Sequence, residues 1–384
     1  MSYRIFINDY EISSDVVSTI QFNTSIYSPY VDGFIQLNNT STLKYVLRYD
    51  RTQTLKLLFS DPISDEDFAF VFNINYQDIS FDKNTFHGSD ILKFSTYNNQ
   101  MFMESSKKIY DDKIENIFDD LFKTSTYKMR KDIESTENII HPCNNKTIDD
   151  NIQYLLKFMG DENLNGGSLL YFDILNNNMI LTNLKTLLEQ EPLGFPLLYP
   201  SDNDGYIGYI SSLDVDFVFD QYEMSKSRIF NNIQHGFDYD KGEQIKRDAS
   251  IFDTIKNVKN KTITFDKNMI DLNSNEIDLY NKSEKILDIY KSNLYWKNAI
   301  NSFRFNIFCP NGSFVRRVGK IQDVILYSND DNGTVVDDKF TTRGLITEIT
   351  HIFKDGSYGQ NLKVNNIGFD KETIINKYSN LVKL

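Results

Sequence analysis

The chain has 384 residues, a formal net charge of −13, 40% hydrophobic residues and 14% aromatics. An acidic balance of this size is poorly suited to gripping nucleic acid through its phosphates. No apolar run approaches the roughly 18–20 residues that span a bilayer, which argues against stable membrane insertion. At about 150 residues per domain the length suggests two to three domains.

The opening stretch, Met1-Ser2-Tyr3-Arg4-Ile5-Phe6-Ile7-Asn8-Asp9-Tyr10, turns polar too soon for a secretory signal. The protein is therefore expected to stay where it is made or to leave by assembly. Its two cysteines, Cys143 and Cys309, lie far apart and lack CxxC spacing, so they are read as reduced and buried. Three alanines, Ala69, Ala249 and Ala299, stand against 23 tyrosines and 29 phenylalanines. Alanine favours helices and aromatics favour strands, so the bias is toward β structure, with AT-rich codon usage as a second source of it.

Residues 3–104 read as strands at 3–7, 17–27, 33–37, 54–60, 68–76 and 91–103. In the second of these Ile20, Phe22 and Ile26 share one parity, the mark of a half-buried strand. Residues 42–48 suit a short helix. Gly33 is read as a bend or a close contact. Many short strands in one run suggest a closed barrel or a sandwich.

The period then changes. Ile109, Ile114, Ile117, Phe118, Leu121 and Phe122 recur at helical spacing within 105–123. A second helix is expected over 149–159, with Thr147 as N-cap and Asp149 and Asp150 in its first turn. Strands at 168–174 and 179–182 follow, turning at Asn176-Asn177-Asn178, and a short helix spans 184–190. Beyond the Pro- and Gly-punctuated residues 192–208, strands return at 213–220, within 228–239 and at 262–265. A helix spans 281–303, with Ile286, Ile289, Tyr290 and Leu294 on one face. The last block, 303–367, is strands and turns. Within it Lys354-Asp355-Gly356-Ser357 joins two alternating runs, the strongest short hairpin signal a sequence offers.

Signs of catalysis are weak. The adjacent acids Asp111-Asp112, Asp119-Asp120, Asp149-Asp150 and Asp337-Asp338 point about 100° apart on a helix and do not converge on one bond. They read as solvated helix faces or caps. Residues 201–205 and 328–333 lack calcium-ligand spacing and read as turns. His351 lies mid-strand and reads as a packing histidine. His141-Pro142-Cys143 has no orienting partner for a nucleophile. Arg316-Arg317 either pairs with a neighbouring subunit or is exposed on a strand. No G-x-S-x-G, P-loop or G-x-G-x-x-G occurs. No catalytic, cofactor-binding or metal-binding residue is assigned, and the chain is not read as an enzyme.

Three places resemble a known family. They are Ile26-Tyr27-Ser28-Pro29-Tyr30-Val31-Asp32-Gly33-Phe34-Ile35-Gln36-Leu37, the helix-to-strands unit 149–192 ending Leu188-Glu189-Gln190-Glu191-Pro192, and the strands of 303–369 with their closing hairpin. In order and spacing these resemble the baseplate hub protein of T-even-type contractile-tailed phages and the related hub portions of type VI secretion spikes. Residues 240–300 match least.

The resemblance implies an α+β, predominantly β fold with two antiparallel β-barrel, tube-like domains and two insertions. Residues 1–105 would form the first barrel and 106–205 a small α+β domain. Residues 206–245 with 301–370 would form the second barrel, 246–300 an insertion with a C-terminal helix, and 371–384 a tail. It also implies a homotrimer whose six barrels match the six-fold tail tube to the three-fold spike. Expected partners are the tail spike protein, tail tube or tube-initiator proteins, and the tape measure protein. DNA would pass through the lumen without specific binding. The location would be the distal hub of the phage tail, after assembly in the host cytoplasm. Two other roles suit the residues: the hub of a contractile injection or secretion system, and a cell-wall-binding or degrading tail protein.

Overall fold

Antiparallel strands dominate the computed structural model, which describes residues 3–38, 53–61, 66–82, 87–96, 107–123, 127–135, 137–144, 146–160, 166–200, 204–217, 232–238, 242–249, 275–280, 285–301, 303–330, 333–337, 340–368, 374 and 376–378. The helix expected over 42–48 and the strand at 262–265 lie outside these.

The N-terminal strands are Tyr3–Ile7, Tyr10–Ile12, Val17–Ser25, Asp32–Asn38, Gln53–Ser60, Asp67–Asp82 and His87–Ser95. Alternation decides their inner face. Ile5, Ile7, Ile20, Phe22, Ile35, Leu37, Leu55, Leu57, Phe59, Phe70, Phe72, Leu92 and Phe94 are all buried. Asp67–Asp82 is long enough to pair along one flank with Gln53–Ser60 and along the other with His87–Ser95. The sequence reading missed Tyr10–Ile12. Asn8 and Asp9, both at positive φ, turn the chain so that Ile7 faces Tyr10.

The middle region departs from expectation at its start. Ile109 does not belong to a helix face: strand Ile109–Asp112 pairs with Ile139–Pro142, and Ile109 is 71% exposed. The helix begins only at Ile114 and runs to Leu121. Asp112 marks the change, accepting from Lys113 N at 2.7 Å and Asn116 Nδ2 at 2.8 Å. Helix Ile148–Leu155 follows the expected design, with Thr147 Oγ1 accepting from Asp150 N at 3.1 Å. Strands Ser168–Asp173 and Asn178–Asn183 pair antiparallel, and Lys128–Lys131 adds a parallel third. The short helix Leu184–Leu188 packs beside them.

The C-terminal strands are Leu197–Tyr199, Ser212–Phe217, Phe303–Cys309, Ile321–Asp330, Gly333–Val336, Thr342–Lys354 and Ser357–Gly368. Asp355 and Gly356, with φ of 50° and 73°, make the two-residue turn of the last hairpin. Asn232–Asp238, Glu243–Ala249 and Asn275–Tyr280 form a separate three-stranded sheet. Helix Lys285–Asn301 buries Ile286, Ile289, Trp296 and Ile300. Its Asn293 holds the middle region in place. Oδ1 accepts from Ser168 N at 2.8 Å, and Nδ2 donates to Lys157 O and Met159 O, both at 2.9 Å. Cys143 and Cys309 are free and buried.

No closed barrel is seen among the described residues. Their strands form one open 14-stranded sheet, whose main path runs from Ser212–Phe217 to Tyr10–Ile12. The reason is the 13-residue strand Thr342–Lys354. Its first part pairs with Ile321–Asp330 and its second part with Val17–Ser25, while Ser357–Gly368 runs along its other side. Irregularities at Arg343/Gly344 and Ile346/Glu348 let it change partners. One strand thus belongs to both halves of the sheet.

Candidate functional site

Where the two halves meet, the core is aromatic. Phe59 stacks on Phe353 with centroids 4.3 Å apart, and Phe353 on Tyr358 at the same distance. Phe314 packs against Phe70 at 5.1 Å. Such rings bury large areas and fix relative orientation.

A directional hydrogen-bond chain crosses this aromatic layer. Gln360 Oε1 accepts from Arg316 Nε at 2.8 Å, which sets the amide orientation. Gln360 Nε2 then donates to Tyr358 Oη at 3.0 Å. The Tyr358 hydroxyl is left to donate to His351 Nδ1 at 2.7 Å. His351 Nε2 therefore carries the proton and faces Thr24 Oγ1 at 3.4 Å. The Tyr358 link needs a neutral imidazole, because Nδ1 must accept. Burial first, then the Arg316 charge, pushes the His351 pKa down to about 3. The same burial raises the Tyr358 hydroxyl far above its usual range. His351 is thus a packing histidine, stacked on Phe22 at 4.5 Å.

Arg316 corrects the sequence reading of the arginine pair. It is neither exposed nor on a strand. It sits in the loop before Ile321–Asp330, with no exposed surface, the largest fully buried side chain among the described residues. Besides Gln360 its guanidinium donates to the carbonyls of Ile207 and Asn311. Its planar fork matches three acceptors at fixed positions. Little in the local sequence announces this, because two of the three acceptors, Gln360 and Ile207, lie 44 and 109 positions away.

Arg317, next in the chain, is half-buried and faces a cleft of about 510 Å³. The cleft lies between the 313–320 loop and the middle-region sheet, and Thr24 and His351 also line it. Gly319, at φ +78°, lets the loop come close. A Cβ there would stand 2.9 Å from Tyr171 Oη. Gln190 clamps the same loop, donating to Gly319 O at 2.9 Å and accepting from Lys320 Nζ at 2.8 Å. Arg130 makes a two-pronged pair with Asp132, each bond 2.9 Å. Asp173 is occupied by Leu175 N at 3.1 Å and Asn176 Nδ2 at 2.6 Å. Burial, followed by Arg317, lowers the Lys320 pKa, and burial followed by Asp173 raises Tyr171 to about 12.

The other singled-out residues stay apart. His141 Nε2 meets Asn151 Oδ1 at 2.8 Å, a partner the sequence reading did not name. Asp111 and Asp112 are on a strand rather than a helix. Asp120 is held far below the usual carboxylate range by Lys108, Tyr110 and Lys123, whereas Asp119 pairs with Lys131. Asp150 accepts from the Thr147 hydroxyl. Asp337 accepts from Phe340 N at 2.9 Å, and Asp338 lies outside the described residues. Asp330 faces Gly333 in hairpin register, and Asp204 O accepts from Asn311 at 2.6 Å. Among the described residues no three His, Cys, Asp or Glu side chains are placed to share a metal ion, and no helix is long and apolar enough to cross a membrane.

No family model matches the chain, and no curated protein does. Solved structures do. A 43 kDa tail protein of prophage MuSo2 from Shewanella oneidensis superposes with a TM-score of 0.60 at 12% identity, over 95% of this chain and 98% of that one. A tail protein from Neisseria meningitidis gives 0.61 at 8% identity, over 96% and 98%. The fold is that of phage tail proteins. An Escherichia coli component of the type VI secretion system, described as structurally similar to bacteriophage T4 tail proteins, gives 0.52 at 9% identity over 94% of this chain and 76% of its own.

Proposed function

We propose that this protein is a structural tail hub, not an enzyme, which trimerises and joins the central spike to the tail tube. The observation that carries the reading is the end-to-end match in fold with two phage tail proteins, at nearly equal length. At such low identity the match speaks to fold, and the hub role is our inference from it. The two halves of the sheet, joined at Thr342–Lys354, would act as two similar tube-facing units per subunit. Three subunits would then offer six such units to a six-fold tube. Residues 1–105 and 206–245 with 301–370 would supply these units. With a net charge of −13, a ring of these chains would let DNA slide through without gripping it.

The test is the molar mass of the purified protein by light scattering, alone and with its spike, beside negative-stain images. A three-subunit ring with six lobes is expected. A monomer under both conditions would overturn the proposal. A second reading, the hub of a contractile secretion system, is favoured by the match to the Escherichia coli component. Genomic neighbours encoding secretion rather than capsid proteins would select it.

A further inference from the structure

The cleft beside Arg317 holds charge that the protein itself does not balance. Four cationic side chains line it, Arg130, Arg316, Arg317 and Lys320, against two carboxylates, Asp132 and Asp173, and Arg316 is spent on Gln360 and two carbonyls. Asp132 is spent on both prongs of Arg130, and Asp173 accepts from Leu175 N and Asn176. Lys320 donates a hydrogen bond to a neutral amide oxygen, Gln190 Oε1. Among the described residues Arg317 has neither a carboxylate nor a hydrogen-bond acceptor for its guanidinium. Arg317 is thus a half-buried arginine beside a lysine, and its planar fork is suited to a carboxylate.

We propose that this cleft receives an aspartate or glutamate side chain carried on an otherwise apolar segment of a partner protein, gripped by Arg317 and Lys320. The apolar part of the lining suits the rest of the segment: Leu175, Ile180, Leu187, Phe314 and Val318 all border the cleft. Two fixed carboxylates at the mouth repel a polyanion, which favours one acidic side chain over a nucleic-acid backbone. Lowering of the Lys320 pKa by burial and by Arg317 fits the same picture, since an incoming anion would relieve it. The inference stands on the cleft alone and does not depend on the hub reading.

The experiment measures binding of capped, fluorescent pentapeptides of sequence Gly-Leu-Xaa-Leu-Gly to the full-length protein, with Xaa as Glu, Gln or phosphoserine. A charge-assisted bidentate contact separates Glu from Gln by about tenfold in Kd, and that margin shrinks at high salt. Arg317→Gln is expected to bring the Glu peptide to the level of the Gln peptide while the melting temperature holds. Arg317→Lys should restore part of the difference. Equal affinity for Glu and Gln, no measurable binding of any peptide, or discrimination that survives Arg317→Gln would each overturn the proposal. Tighter binding of phosphoserine, displaced by a single-stranded oligonucleotide, would assign the cleft to phosphate instead and overturn it as well.

Discussion

Asp61 and Ser313, 252 residues apart in the chain, share a 2.9 Å hydrogen bond in the buried layer between the two halves of the sheet. Asp61 also accepts from Phe314 N at 2.8 Å, and only 1% of its surface is exposed. A carboxylate buried here anchors the 313–320 loop to the N-terminal strands.

Replacing it should therefore be costly. Asp61→Ala leaves the Ser313 hydroxyl and the Phe314 amide without their acceptor and is expected to lower unfolding free energy by about 3 kcal/mol. Ser313→Ala, which removes one donor and leaves the amide contact, should cost about 1 kcal/mol. Urea denaturation of both variants measures the difference. Equal small losses would mean that the carboxylate is not an anchor.

Arg316→Met keeps much of the volume but strips Gln360, Ile207 O and Asn311 O of their shared donor. A loss of about 3 kcal/mol is expected. Arg316→Lys should recover little, because one ammonium cannot reach three acceptors set by a planar fork. Full recovery with lysine, read in the same denaturation experiment, would contradict the network.

The histidine gives a pH signature with a definite sign. His351 has its pKa lowered to about 3 when folded, against 6.5 ordinarily. Between those values the unfolded chain binds the proton that the native state refuses, so native stability falls as pH drops through 6.5 toward 3. Going from pH 7 to pH 5 the imidazole should account for about 2 kcal/mol of lost stability. His351→Gln is expected to be less stable at pH 7 yet to lose less between pH 7 and 5. An unchanged acid slope in the variant would rule out His351 as its source.

Gly33 tests strand proximity. A Cβ there would lie 2.3 Å from Gln21 O, a backbone atom of the paired strand that cannot swing aside. Gly33→Val should cost about 3 kcal/mol and lower the melting temperature markedly. A variant that melts with the wild type would show that the strands are not so close.

Much of the fold follows from local pattern. The parity of Ile20 and Phe22 gives a buried strand face, with Ile26 buried just past the strand end in a second cluster, Asp355-Gly356 gives the last hairpin, and Thr147 gives a helix cap. These signals are local, because the residues that decide them lie within a few positions of each other. Ile109 misled because apolar spacing cannot show that residues 109–112 find a ladder with 139–142. Lys128–Lys131 was missed because a short charged stretch at the edge of a small sheet carries no apolar alternation. Least legible was the junction. The burial of Arg316, the pairing of Asp61 with Ser313, and one strand serving both halves depend on partners that sequence periodicity does not connect.

Asn23 and Thr350 touch through their side chains across the shared strand pairing, yet they are 327 positions apart in the chain. At ribosomal speeds of roughly 5–20 residues per second, strand Val17–Ser25 emerges on the order of 20–60 s before its partner exists. For that interval a strand edge with apolar faces has no mate, which is the condition under which nascent chains clump. A product broken off before residue 342 could never close the seam. The N-terminal strands can pair among themselves early, whereas the seam that joins the two halves forms only once Thr342–Lys354 has been made.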